Sequence, residues 1–383
     1  MQPFEYQLTT RLVFGPNRVE QLGELAKEFG AQRVLIVSDP GIVKAGHTQR
    51  GVAALQSAGL ETLVDANVGE NPTTQHVEAG TAVAREFKPD LIVGLGGGSS
   101  MDCAKGINFL YSCGGRMQDY WGIGKATGPL LPMIAVPTTA GTGSEAQSFA
   151  LISDADTHVK MACGDKRAAC RIALLDPTLT VTQPQRVTAL TGIDAVAHAL
   201  ETYVTTKRNF MSILYSREAW RLLETNFTQV LRDPNDLEAR GAMQLGAFLA
   251  GTAIENSMLG ATHALANPLT AHYNVPHGEA IALMLPHVIR YNGAVHKDWY
   301  CELLAYVSGR NGAPPVSSGA DGLADFISQM SATAGLPAQL SARGIDEAKL
   351  PTLAEDAAKQ WTGTFNPRKV GAAELLELYR AAY

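Results

Sequence analysis

DLIVGLGGGSSMDCAKG, residues 90–106, is the stretch on which the fold is decided. DLIVGLG is a short apolar run without polar alternation, the pattern of a strand covered on both faces. Gly96, Gly97 and Gly98 follow, with no side chains to keep a phosphate away, and Ser99 opens a helical pattern. The first N–H groups of a helix are unserved and its dipole favours an anion there, so the loop reads as a pyrophosphate cradle. A tight strand-to-helix turn is the purely structural alternative. The loop departs from the usual dinucleotide fingerprint, which sits at a first strand with an acid ~20 residues downstream. Here the best acid lies upstream. Asp39 ends RVLIVSD (33–39), where a carboxylate can accept both ribose hydroxyls of NAD and repel the extra phosphate of NADP. It is equally suited to capping the turn that begins at Pro40.

Working outward, PMIAVPT (132–138) and RIALLDP (171–177) repeat the buried-strand pattern of 33–39 and 90–96. Helical segments lie between. PNRVEQLGELAKEFG (16–30) places Leu22, Leu25, Ala26 and Phe29 at helix spacing, with Gly30 as its stop; TTQHVEAGTAVAREF (73–87) is a second. Alternating strands and helices predict a Rossmann-like α/β domain with a parallel sheet over residues 1–182. Beyond Pro184 the strands vanish, and SREAWRLLETNFTQVL (216–231) and GAAELLELYRAAY (371–383) show apolar helical faces. Residues 183–383 are therefore expected to form an all-α domain, with GRNGAPPVSSGADG (309–322) as a connector inside it. Ligands of such architectures are expected between the domains, beyond the carboxyl ends of the strands.

VPTTAGTGSEAQ (136–147) is a second polar loop after a strand. Its hydroxyls, Thr138, Thr139, Thr142 and Ser144, suit a ligand carrying phosphates and sugars, or a capped turn. Two such loops after adjacent buried strands favour the dinucleotide. Phe149, just beyond, is either a wall of the substrate pocket or an ordinary strand aromatic.

Composition excludes other classes. The 383 residues are 46% hydrophobic and 18% charged, with a net charge of −6, so no basic surface points to nucleic acid or anionic membrane. The N-terminal MQPFEYQLTTR lacks a basic segment followed by an apolar run, and no stretch reaches the ~18 apolar residues of a spanning helix. The five cysteines form no CxxC pair, which predicts free thiols in a reducing cytoplasm rather than a disulfide framework or thiolate zinc site.

TGIDAVAHALE (191–201) puts Asp194 and His198 four residues apart, on one side of a helix. Alone, such a pair is more often a hydrogen-bonded helix pair. GATHALANPLTAHYNVPHGEA (260–280, beginning at Gly260) adds His263 in an apolar stretch and His277 after a proline turn. One carboxylate and three imidazoles suit Fe(II) or Zn(II), which ligand type does not separate. Such an ion polarises an alcohol or carbonyl oxygen, the chemistry that hydride transfer to nicotinamide requires.

With these motifs in view, the sequence resembles the iron-containing (group III) alcohol dehydrogenases over nearly its whole length. RLVFGPNRVEQLGEL, GGGSSMDCAKG, PTTAGTGSE, TGIDAVAHALE, VPHGEAIALMLPHVIRYN and the tail NPRKV (366–370) carry the resemblance. It implies a dehydroquinate synthase-like two-domain architecture, Fe2+ (or Zn2+) held by Asp194, His198, His263 and His277, and NAD at Asp39, Asn71, Gly97, Gly98, Ser99, Thr138, Thr139, Thr142 and Lys160. Lys160 and Asn71 gain their roles from the resemblance only; by themselves they read as a surface lysine and a turn residue before Pro72. One departure stands out. Many members carry HxxxH, whereas here His263 is followed at the fourth position by Asn267, which cannot act as a base near neutral pH. His272 is the nearby alternative for the proton route, or else a surface histidine. The expected activity is NAD-dependent interconversion of a small primary alcohol and its aldehyde, by a homodimer or higher homo-oligomer in which QLTTRLVF (7–14) is a pairing strand. A zinc-dependent polyol dehydrogenase of the glycerol type and a dehydroquinate synthase-like lyase are the alternatives.

Overall fold

Val34 and Ile36 enter one apolar cluster and Leu35 and Val37 another, all fully buried. A strand alternates its side chains between faces, so these residues require a sheet covered on both sides. The computed structural model describes residues 3–157, 159–307, 315 and 318–383. It divides into two units: residues 7–183, and residues from Pro184 onward together with those up to Tyr6.

In the first unit the strands are β1 (Arg11–Phe14), β2 (Arg33–Val37), β3 (Glu61–Asp65), β4 (Leu91–Gly96), β5 (Gly122–Ile123), β6 (Met133–Pro137), β7 (Phe149–Ser153), β8 (Lys160–Gly164) and β9 (Ile172–Leu175). The main sheet has the order β1-β9-β6-β4-β2-β3 and every pairing in it is parallel. Its helices are α1 (Leu22–Lys27), α2 (Pro40–Lys44), α3 (His47–Ser57), α4 (Thr74–Phe87) and α5 (Gly98–Cys113). Leu22, Leu25, Ala26 and Leu55 cover one face of the sheet; Val77, Ala104 and Ile107 cover the other. The parallel Rossmann-like sheet is thus as expected, and all four buried runs are strands.

Three details differ from the sequence reading. The expected helix over 16–30 is a 3-10 turn (Arg18–Gln21) leading into the short α1. Phe29 lies beyond its end and is 37% exposed, while Gly30 takes the left-handed φ of 71° that stops the chain there. Strands β5, β8 and β7 form a small mixed sheet with no counterpart in the expectation. β5 has two residues, too few for a period to register. Phe149 belongs to this sheet and lies against Gly164, where an added Cβ would come within 2.3 Å of its ring.

The second unit is helical: α6 (Gln185–Val204), α7 (Phe210–Arg232), α8 (Leu237–Ser257), α9 (Ala261–Tyr273), α10 (His277–Gly293), α11 (Lys297–Ala305), α12 (Gly319–Thr333), α13 (Leu350–Ala358) and α14 (Ala372–Ala381). α6 is apolar almost all round and packs against α7, α8 and α10, which is why it has no solvent face from Gly192 onward. Of the expected connector 309–322, residues 309–314, 316 and 317 lie outside the described residues, and from Gly319 the chain is already in α12. Among the described residues no helix is long and apolar enough to cross a membrane.

Candidate metal centre and nucleotide loops

Asp194, His198 and Glu201 lie at i, i+4 and i+7 along α6, one face of the helix. His263 stands in the first turn of α9, and His277 is the first residue of α10. Packing brings the starts of α9 and α10 beside the middle of α6. Oδ1 of Asp194 lies 3.3 Å from Nε2 of His198, 3.4 Å from Nε2 of His263 and 3.6 Å from Nε2 of His277. The ligand atoms of Asp194, His263 and His277 all fall within 4.8 Å of one another. The rings of His198 and His263 stack, with centroids 4.8 Å apart.

These separations test the fit of a metal. A good N–H···O bond would close to about 2.7–3.2 Å. Ligands about 2.1 Å from a shared tetrahedral ion stand about 3.4 Å apart, and the three distances from Asp194 Oδ1 lie close to that. Asp194 Oδ1 and His263 Nε2 are buried and make no well-formed hydrogen bond among the described residues. The donor set therefore fits Fe2+ or Zn2+. The side chains of Asp194, His198 and His263 are nearly inaccessible, whereas that of His277 is 29% exposed, so the cluster opens on its side.

Charge leads to the same conclusion. Burial works against an ionised Asp194, yet the surrounding imidazoles more than reverse this and hold it below the usual carboxylate range. Burial likewise pulls His263 down, but the carboxylates of Asp194 and Glu201 raise it to about 9. Two buried carboxylates call for a cation, and a metal ion must displace the proton that His263 would otherwise keep.

Glu201 was not singled out in the sequence. Its Oε2 is 2.6 Å from Nδ1 of His263, and it also accepts from the N–H groups of Gly260 and Thr262. A carboxylate behind a ligating imidazole fixes its tautomer. The spacing Asp194-x3-His198-x2-Glu201 was the available signal. Glu279, two residues after His277, was also passed over. It is fully buried and paired with Arg186 at 2.9 Å and with Arg343.

Asn267 and His272 both hydrogen-bond to residues outside the cluster. The amide of Asn267 donates to Gln360 Oε1 at 3.0 Å. His272 lies nine residues after His263 on α9, about 14 Å along the axis, where its half-exposed ring pairs with Asp356 at 2.9 Å. That is the surface-histidine alternative.

The glycine loop joins β4 to α5, and Gly97 is the helix N-cap. Gly96 has φ 155°, and a Cβ there would lie 2.4 Å from Ser100 Oγ; at Gly98 it would lie 2.6 Å from the Thr142 side chain. Only glycine lets the 138–147 loop approach so closely. Thr138 Oγ1 is buried and has no hydrogen-bond partner among the described residues, and Ser99 sits in the first turn of α5. An orphaned hydroxyl beside an open helix N-terminus fits an anionic, sugar-bearing ligand. Thr139 lies 3.5 Å from where a Gly97 Cβ would be. Asp39 takes the capping role, and its second oxygen faces the glycine loop. Oδ1 caps α2 through Gly41 and Ile42, and Oδ2 accepts from Ser100 Oγ at 3.2 Å beside the glycine loop. Asn71 is exposed in a left-handed turn with φ 55°. Lys160 is exposed at the start of β8, and its charge acts on Asp102.

Beneath the loops lies a buried ionic group that the sequence reading did not isolate. Lys105, fully buried, donates to Ser144 O at 2.7 Å, Ser144 Oγ at 2.9 Å and Phe149 O at 2.8 Å. Ser144 Oγ in turn donates to Asp102 at 2.5 Å. Burial pushes the neighbouring Glu145 carboxyl up to about 7. Lys105 thus ties the helix of one loop to the backbone of the other.

A model of the family described as "Iron-containing alcohol dehydrogenase" matches residues 9–177, and its C-terminal counterpart, "Fe-containing alcohol dehydrogenase family, C-terminal", matches 188–383. A 1,3-propanediol dehydrogenase of Citrobacter freundii is 34% identical over 99% of both chains. An NAD-dependent methanol dehydrogenase of Bacillus methanolicus is 28% identical over 97% of both. A solved 1,3-propanediol oxidoreductase superposes with a TM-score of 0.95, at 34% identity and full coverage of both chains.

Proposed function

Because the chain belongs to the iron-containing alcohol dehydrogenase family, we propose specific roles for its residues in that family's reaction. The chain is an NAD-dependent, metal-containing alcohol dehydrogenase. It exchanges alcohol and NAD+ for aldehyde, NADH and a proton. The ring of three imidazole nitrogens around one carboxylate oxygen, at 3.3–3.6 Å, carries the assignment of Asp194, His198, His263 and His277 as the residues that would hold Fe2+. When bound, the ion supplies Lewis acidity that polarises the substrate oxygen.

The protein's own groups do the rest. His277, the most exposed of the four, marks the side from which substrate arrives. Asn267, committed to Gln360, offers no base, so the alcohol proton would have to pass to water. Residues 1–182 bind NAD and residues 183–383 bind the metal. In the nucleotide unit, Gly97, Gly98 and Ser99 seat the pyrophosphate, and Thr138, Thr139, Thr142, Asn71 and Lys160 complete the pocket. Asp39 takes the adenosine ribose. The substrate class is a small primary alcohol. In support, relatives are named for 1,3-propanediol and for methanol.

A homodimer or larger homo-oligomer is part of the same reading. β1 is an edge strand of the main sheet, and Leu12 and Phe14 on it are 36% and 40% exposed. A cytoplasmic location is supported by cysteines that are all free thiols.

NADH consumption with short aldehydes, 3-hydroxypropanal and propanal first, tests the reading on protein loaded anaerobically with Fe2+ and on the same protein stripped by chelator. Metal-dependent turnover is expected. Equal turnover by the stripped protein would overturn the metal assignment, and no net NADH change with any aldehyde would overturn the substrate class.

A further inference from the structure

The N-terminus of α9, which presents His263, is capped by none of its own side chains. Its N-cap is Gly260, and a Cβ there would lie 3.0 Å from Glu201 Oε1 and 3.1 Å from Asn366 Oδ1. The unserved N–H groups are instead taken up by two residues distant in sequence. Glu201, on α6, accepts from Gly260 N at 3.1 Å through Oε2 and from Thr262 N at 2.7 Å through Oε1. Asn366, in the tail NPRKV, accepts from Ala261 N at 3.2 Å. Asn366 is itself held by a reciprocal amide pair with Asn292 of α10, at 3.0 and 2.8 Å, and donates to Arg368 O at 2.6 Å. Both residues are almost completely buried.

We propose that Glu201 and Asn366 are positioning residues that together set the orientation and tautomer of His263, so that the affinity of the centre for its metal depends on the C-terminal NPRKV segment as well as on the four ligands. The inference rests on the metal reading of the cluster. A carboxylate only accepts, so the 2.6 Å contact puts the proton of a neutral His263 on Nδ1 and turns the Nε2 lone pair toward Asp194 Oδ1. Two acceptors facing each other at 3.4 Å await a cation. A glutamine at 201 could not serve all three donors. With its NH2 toward His263, it would drive the imidazole proton onto Nε2, where metal must bind. With its oxygen toward His263, it would set NH2 against the Thr262 N–H. Asn366 acts one step further out, by holding the first turn of α9 against α10, the helix that begins with His277.

Co(II) titration of the chelator-stripped full-length protein tests this, read by visible ligand-field absorption and by competition with a calibrated chelator. Circular dichroism and Tm of the apo-protein control for folding. Wild type is expected to bind one Co(II) per chain. Glu201→Gln is expected to bind it ten- to a hundred-fold more weakly, with altered visible bands. Asn366→Ala is expected to bind it several-fold more weakly and to lose it faster to chelator. A folded Glu201→Gln protein that binds Co(II) within twofold of wild type would overturn the role of Glu201, even if its apo-protein melts earlier, because that is the outcome of capping alone. If Glu201→Gln does not fold, Asn366→Ala decides alone, and wild-type affinity in it would overturn the proposal. Failure of wild type itself to bind Co(II) would overturn the metal reading beneath both.

Discussion

Nε2 of His198 stands 3.3 Å from Oδ1 of Asp194, one turn earlier on the same buried helix, and two more imidazoles converge on that same oxygen. Removing the charge while keeping the shape isolates what that oxygen does. Asp194→Asn is expected to retain less than a tenth of the wild-type metal and to lose turnover in proportion. Chelator should lower the Tm of wild type, since a ligand bound only to the native state stabilises it, and should leave the variant's Tm where it was. A variant with full metal content and full activity would remove Asp194 from the ligand set.

Asp39 has two oxygens in two roles, one capping α2 and one facing the glycine loop. Asp39→Gly should relax the preference for NAD over NADP, read as the ratio of kcat/KM values, because the carboxylate that repels a 2′-phosphate is gone. The capping loss should be only a few tenths of a kcal/mol with glycine and about 1 kcal/mol with alanine. A wild-type enzyme that already favours NADPH would refute the role assigned to Asp39.

Lys105 is fully buried and makes three hydrogen bonds to the second loop. Lys105→Met leaves those acceptors and Asp102 without their cation, which should cost about 3 kcal/mol of stability by denaturant unfolding. In the fraction that remains folded, the KM for NAD should rise more than kcat falls, since loop placement rather than chemistry is disturbed. An unchanged KM would separate the ionic group from cofactor binding.

Glu145 titrates within the working range, because burial raises its carboxyl to about 7. Folding therefore takes up a proton between about 4.5 and 7, and the stability this group contributes is complete below that window and is lost as pH rises through it. The change is on the order of 3 kcal/mol. Glu145→Gln should flatten the decline, so that unfolding free energies of wild type and variant, measured across pH 5 to 8, diverge most at the alkaline end. Parallel curves would place the proton elsewhere.

Asn267 donates to Gln360 and has no proton to exchange near neutral pH. Asn267→Ala should lower kcat by less than tenfold, whereas loss of a general base costs 10²–10⁴-fold. His272→Ala should leave kcat within about twofold, since that ring pairs with Asp356 at the surface. A hundredfold loss in either variant would restore the position to the proton route.

By itself, the sequence determined the elements whose patterns are local and strong. Runs such as RVLIV and LIVGLG are apolar at every position, and only a doubly covered parallel strand buries both faces of such a run. The Gly96–Gly98 loop was legible because a close backbone approach leaves glycine as its only trace. Asp194 and His198 were legible because helix periodicity fixes which residues share a face. The remaining features were decided by tertiary structure. Whether His263 and His277 reach the same oxygen depends on how the starts of α9 and α10 pack beside α6, and no spacing along the chain encodes that. The same holds for Glu201, Lys105 and Asn366, which reach partners 62, 39 and 105 residues away. A buried polar side chain is recognised by the donors and acceptors that surround it, and packing alone assembles those.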